Sequence, residues 1–228
     1  MKFLRLIIIL ICVFAFKTVN AQMHYEPRIG IGAKGGMTLS RTMFSPQVPQ
    51  SFIMGYMGGL SFRYSEEKHF GLLAELNIQQ RGWKEDFEDA PFEYSRQFTY
   101  LQVPVMTHIF FGNSKVRGFF NLGPEIGFMI DENVSTNFDV NNIQNIEGFP
   151  YYNRHNEQLT LDVRNKIDYG ISAGAGIEVI AKRKNSFILE GRFYYGLGNT
   201  FGSRKKDAFS ASTGMSLMLT LGYMYRIK

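Results

Sequence analysis

The chain has 228 residues, 45% of them hydrophobic and 15% aromatic, with 25 basic and 20 acidic side chains and one cysteine. A single thiol excludes a disulfide-stapled secreted domain, and a basic excess scattered along the chain does not indicate a nucleic-acid partner. The length suits one domain or one barrel.

In chain order, Lys2 and Arg5 precede an apolar run from Leu6 to Phe16, followed by Val19-Asn20-Ala21. That is the layout of a secretory signal peptide over 1–21, with cleavage expected before Gln22. The run is too short to span a bilayer as a helix, which takes roughly 20 apolar residues. Cys12 lies inside it, without the small preceding residues of a lipoprotein site, so the exported chain, 22–228, would carry no thiol and no lipid anchor. Subtracting Lys2, Arg5 and Lys17 from the basic residues leaves a net charge of about +2.

From there short segments of alternating hydrophobicity recur between turn-like residues, the signature of strands rather than helices. "RIGIGAKGGMTLS" places Arg28 and Lys34 on a polar face, and "IMGYMGGLSFRY" does the same for Arg63. "FGLLAELNIQQRGW" sets Phe70, Leu72, Leu76 and Ile78 against Glu75, Asn77 and Arg81. In "YLQVPVMTHIFF", Leu101, Val103, Val105, Ile109 and Phe111 oppose Tyr100, Gln102, Pro104, Met106 and His108. "RGFFNLGPEIGFMI" opposes Phe120, Leu122 and Ile126 to Arg117, Asn121 and Glu125, and "KIDYGISAGAGIEVIA" opposes Ile167 through Val179 to Asp168, Ser172 and Glu178. "SFILEGRFYYGLGN" carries Glu190 and Arg192 on its polar face, and "GMSLMLTLGYMYRIK" holds a period of two from Met215 to Ile227.

These are eight strands, each long enough to cross a bilayer in roughly 9 to 11 tilted residues. Short turns near 65–68, 112–116 and 182–185 alternate with long polar segments near 40–52, 84–97, 131–163 and 200–212. Strict alternation predicts an all-β fold: an eight-stranded antiparallel up-and-down transmembrane β-barrel, with both termini and the short turns periplasmic and the long loops outside.

A water-soluble barrel alternates too, but with its apolar face inward. Here the polar faces combine charges of both signs with glycines, while the opposite faces are aliphatic and aromatic. Charges of both signs with small residues fit a narrow lumen and lipid outside. Arg63, Glu75, Arg81, Gln102, His108, Glu125, Glu178, Glu190 and Arg192 are expected to form a structural lumen network in which the carboxylates neutralise arginines and His108 meets a neighbour's carboxylate. Pro104 cannot donate to the ladder, so a bulge or weakened pairing is expected over 102–106, with Pro124 near the same height. His108 has no second ligand at metal spacing on its strand. No catalytic residue, cofactor or metal site is expected.

The strand pair "LLAELNIQQRG" and Tyr100-Leu101-Gln102-Val103-Pro104-Val105, with the opening "IGAKGGMTLS", resembles the PorT-like outer-membrane β-barrel proteins of Bacteroidetes. The family pattern is a Tyr-Leu-Glu-Ile-Pro-Leu strand ending in Lys. Gln102 stands where that pattern has Glu, and His108 where it has Lys, so a salt bridge between those two places would here be a neutral or pH-dependent contact. The resemblance implies an envelope barrel and a secretion-accessory role.

Recognition should reside in the loops, which a rigid barrel presents to solvent. The longest contains "GFPYYNRH", in which Phe149, Tyr151, Tyr152, Arg154 and His155 form a candidate contact patch for glycan, peptide or protein, or else cap the barrel mouth. Arg204, Lys205 and Lys206 could meet lipopolysaccharide phosphates. The leading expectation is a non-enzymatic outer-membrane barrel in contact with membrane lipid, lipopolysaccharide and other envelope or secretion proteins. The alternatives are a narrow channel for small solutes and a barrel enzyme acting on lipid or peptide.

Overall fold

The structure, a computed structural model, describes residues 27–87, 90–151 and 154–227. The expected signal peptide and Tyr152 lie outside them. Nine strands are present among the described residues: β1 (Arg28–Ser45), β2 (Gln50–Ser51), β3 (Ile53–Ser65), β4 (Phe70–Glu85), β5 (Tyr94–Gly112), β6 (Val116–Thr136), β7 (Ile167–Ala181), β8 (Asn185–Gly196) and β9 (Ala211–Arg226). β2 is a two-residue addition on β4. The other eight pair antiparallel in chain order, and β1 pairs with β9 from Gly30↔Arg226 to Ser45↔Ala211, closing the sheet into the expected barrel. No helix is long and apolar enough to cross a membrane among the described residues.

Close approach at the β1–β9 seam explains one glycine. A Cβ on Gly36 would lie 2.0 Å from the Leu219 carbonyl oxygen and 2.7 Å from Thr220 Cα. Any side chain there would push two paired backbones apart.

Three short turns, 66–69, 113–115 and 182–184, lie at one end of the barrel, and the connections 46–52, 86–93, 137–166 and 197–210 lie at the other. Three of the long connections, 46–52, 86–93 and 137–166, are shorter than the sequence suggests because the strands climb further. β5 and β6 stay paired as far as Tyr94↔Thr136, well past the apolar band.

The exterior is inverted relative to a water-soluble protein. Leu221 is 69% exposed and Leu219 61%, whereas inward-facing Glu178 is 1% exposed and Arg192 3%. Burying charge while exposing aliphatics is favourable only where the surroundings are hydrocarbon. Outward aromatics gather toward the two ends of the band: Phe62, Phe70, Phe111, Phe120, Phe187, Tyr223 and Tyr225 near the short turns, and Tyr56, Phe128, Tyr169 and Tyr195 toward the loops. This is the distribution of interfacial girdles.

The proline expectation holds in its second form, a weakened ladder over 102–106 without a bulge there. Pairing between β4 and β5 lapses between Ala74↔Val105 and Asn77↔Gln102, opposite Pro104, without a change of register. Pairing between β5 and β6 lapses between Pro104↔Glu125 and Thr107↔Leu122, where Pro124 sits across from Val105. Each proline lacks an N–H, so each weakens a ladder. The bulge itself lies higher, between Thr99 and Tyr100, where Ile130 is the extra residue of β6.

Candidate functional site

Alternation delivers every second residue of the eight long strands to a lumen too narrow to hold bulk water between facing side chains. Charges placed there must find partners across the barrel, and they do so in layers.

Nearest the short turns, Arg63 donates to both Glu178 oxygens, at 2.5 and 3.2 Å. Its Nη1 also lies 3.2 Å from His108 Nε2. A guanidinium can only donate, so Nε2 accepts and Nδ1 carries the proton, which points to Asn121 Oδ1 at 2.7 Å. Asn121 then donates through Nδ2 to Glu190 at 2.7 Å. His108 is thus a neutral relay between Arg63 and Asn121, and not the carboxylate partner expected from the sequence.

The next layer holds two cations and two anions. Arg192 Nη1 and Nη2 grip Glu75 at 2.7 and 3.0 Å, and its Nε and Nη2 reach Glu190 at 3.1 and 2.9 Å. Lys34 lies 2.7 Å from Glu75 and 3.5 Å from Glu190. Each carboxylate touches both cations, so removing one cation leaves a buried net charge.

Above this, Arg81 pairs with Asp168 at 3.2 Å and lies over the rings of Tyr100 and Tyr194, at 4.5 and 4.2 Å. Tyr194 donates to Asp168 at 2.8 Å. Glu125 departs from expectation: it accepts from Ser172 at 2.6 Å and has no ion pair among the described residues. Gln102 Nε2 has no hydrogen-bond partner there. Gln102 and His108 do not meet, because six residues of strand separate them by about 20 Å.

Beyond the apolar band the lumen ends in an aromatic plug. Trp83, Phe201 and Phe209 are fully buried with Phe44 and Phe98. Phe44 meets Phe209 at 4.8 Å and Trp83 at 5.3 Å, and Trp83 meets Phe201 edge-on at 5.8 Å. Such contacts add about 0.5–1.5 kcal/mol per pair beyond burial.

The long connection 137–166 is strapped over this plug. Tyr94 donates to the Leu159 carbonyl at 3.1 Å and Arg96 to that of Leu161 at 2.7 Å. Glu85 accepts from Trp83 Nε1 at 3.0 Å, from Gln158 and from Arg154. Burial at this level pushes the Tyr94 hydroxyl up to about 12. Burial also raises the Glu85 carboxyl, against the pull of Arg154.

The loop patch read from the sequence therefore divides. Phe149 is buried in the cap, and the Arg154 guanidinium points inward onto Glu85 and over the Phe87 ring at 4.2 Å. Tyr151 is half-buried and accepts from Gln144 at 2.8 Å. His155 keeps an exposed face, 3.6 Å from Glu157.

The plug escaped the sequence reading, although its signal was available. Trp83 and Glu85 continue the inward parity of Gln79 and Arg81, and Phe98, Arg96 and Tyr94 continue that of Gln102 and Tyr100. Among the described residues no group of three His, Cys, Asp or Glu is placed to hold a metal.

Residues 20–202 match the family described as outer membrane protein beta-barrel domain. Among solved structures, the outer membrane protein OprG from Pseudomonas aeruginosa is 10% identical, with 90% of this chain and 99% of that one aligned and a TM-score of 0.51. The Neisserial surface protein A is 11% identical, with 86% and 96% aligned and a TM-score of 0.46. No curated protein matches the sequence.

The four-charge layer predicts a specific mutational pattern. Arg192→Met should destabilise the barrel by about 3–5 kcal/mol by leaving one carboxylate uncompensated. Adding Glu75→Gln should recover part of that loss by leaving Lys34 opposite Glu190. Urea midpoints from the gel shift between folded and heated protein check this, and a double variant no more stable than Arg192→Met would contradict it.

Proposed function

The chain belongs to the outer membrane protein beta-barrel domain family, and from that premise we propose that it works as a closed, non-enzymatic barrel whose capped loop end engages other envelope components. The observation that carries this reading is the plug. Ion-paired layers cross the lumen, and Trp83, Phe44, Phe98, Phe201 and Phe209 pack together beyond them, which supports a closed barrel over a channel. What the barrel offers the exterior is a rigidly held surface.

In this reading the segment 1–21 is removed on export, the domain is 22–228, and both termini and the short turns face the periplasm. The resemblance to PorT-like barrels favours a secretion-accessory role, in which the cap docks a partner. Outer-leaflet contact falls to Arg204, Lys205 and Lys206. Their neighbour Asp207 is engaged by Arg164 at 3.2 Å and by the Arg204 amide at 2.7 Å, which gives this loop a fixed shape. A hydrolase would need a nucleophile and base grouped at one rim. His108 lies in the lumen near the short turns and His155 at the loop end, which supports the non-enzymatic reading.

Gentle detergent extraction from the native outer membrane should yield the protein within an assembly larger than the barrel, resolved by native electrophoresis. A heat-modifiable monomer as the sole species would contradict the accessory role. The channel reading is tested separately. In a planar bilayer the purified barrel should add no stepwise conductance, and steps of constant size would show that the plug opens.

A further inference from the structure

The end of the barrel opposite the plug is built differently. Arg28 at the start of β1, Arg226 at the end of β9, Arg117 near the start of β6 and Arg63 near the end of β3 all face inward around a small, partly open hollow, with His108 and Ser186 in its wall. Alternation alone places them there, since Arg28 shares its parity with Lys34, and Arg226 shares its parity with Thr220.

The charges around this hollow do not balance. Arg63 is committed to Glu178, which is the one carboxylate in ion-pair contact with any of the four guanidiniums among the described residues. Arg117 lies over the Phe110 ring at 5.1 Å, and its Nε reaches the Asn113 carbonyl at 3.4 Å. The side chains of Arg28 and Arg226 have no ion pair or hydrogen bond among the described residues. Every deeper cation of the lumen, namely Lys34, Arg81 and Arg192, has a carboxylate partner. Among the described residues, four guanidiniums against one carboxylate leave an excess of about three positive charges converging on one hollow, where mutual repulsion is costly unless an anion enters.

We infer that this vestibule is a binding site for a phosphate group, entered from the short-turn end. Guanidinium forks match the paired oxygens of an oxyanion and give charge-assisted, bidentate contacts. A phosphate monoester or free phosphate carries about −1.5 to −2 at neutral pH and so offsets more of the excess than one carboxylate would. Arg28, Arg117 and Arg226 supply the free donors, and Arg63 is held as the floor by Glu178 and His108. Arg63 and His108 separate this hollow from a second one above it, whose wall includes Lys34, Glu75 and Glu190.

Two sources can deliver that chemistry: a soluble phosphorylated solute, and the headgroup of an anionic lipid curling over the rim. The inference rests on the barrel and not on what the loops contact, so it stands or fails separately from the accessory role.

The test is calorimetric titration of inorganic phosphate into the full barrel in an uncharged detergent, freed of phosphate. Saturable one-to-one binding is expected, weakened at least about tenfold in an Arg28→Gln/Arg226→Gln variant that keeps its heat-modifiable gel shift. If that variant fails to fold, Arg117→Gln alone, at the rim, should still weaken binding. Lys205→Gln/Lys206→Gln, at the other end, should leave it unchanged. In nanodiscs, phosphate binding equal in phosphatidylcholine and phosphatidylglycerol identifies a soluble ligand. Binding suppressed only by phosphatidylglycerol identifies a lipid headgroup. Absence of saturable binding, or binding that survives every arginine substitution, would overturn the inference.

Discussion

Everything in this structure follows from the backbone's need for hydrogen-bond partners in hydrocarbon. Each unpaired N–H or C=O in the bilayer costs several kcal/mol, so a sheet can cross only if it has no edge. The β1–β9 pairing removes the edge, and that seam dictates the rest. It brings the start of β1 and the end of β9 to one rim, makes the connections alternate between short and long, and divides each strand into a lipid row and a lumen row. Even the exceptions obey it, since the two prolines fall on different strands and interrupt different stretches of ladder.

Closure with eight strands leaves an interior that side chains must fill. Most of the charge there is held in ion-paired sets, Glu178 under Arg63, the four-membered layer around Arg192 and Asp168 beneath Arg81, while Glu125 rests on Ser172 outside them. The two ends then diverge. At the loop end, strands that climb past the bilayer carry aromatic side chains inward, and the cap is fastened to them through Tyr94, Arg96 and Glu85. At the short-turn end, inward arginines outnumber the carboxylates available to them. Among the described residues, one end is filled by aromatic side chains and strapped by the cap, and the other lines a hollow with inward arginines.

The architecture was legible in the sequence because the period of two is local: one strand such as Met215–Ile227 already reveals which residues face lipid. Lumen membership of Arg63, Glu75, Arg81, Gln102, His108, Glu125, Glu178, Glu190 and Arg192 followed from the same parity. Partnership did not, because it depends on strand stagger and barrel diameter. Hence His108 was expected on a carboxylate and sits between Arg63 and Asn121, while Glu125 was expected on an arginine and sits on Ser172. The cap was harder still. Arg154 and Phe149 lie in a segment without periodicity, and their inward orientation is set by Glu85 and by the aromatic cluster, drawn from distant parts of the chain.

The central claim is that apolar rows face lipid and charged rows face a filled lumen. Its most direct test is paramagnetic broadening of methyl NMR signals by a nitroxide carried on lipid acyl chains, in nanodiscs. The methyls of Leu217, Leu219 and Leu221 should broaden strongly, while those of Met218 and Met224 on the same strand, together with Met106, should stay sharp. Broadening without alternation along β9, or strongest at the methionines, would contradict the account.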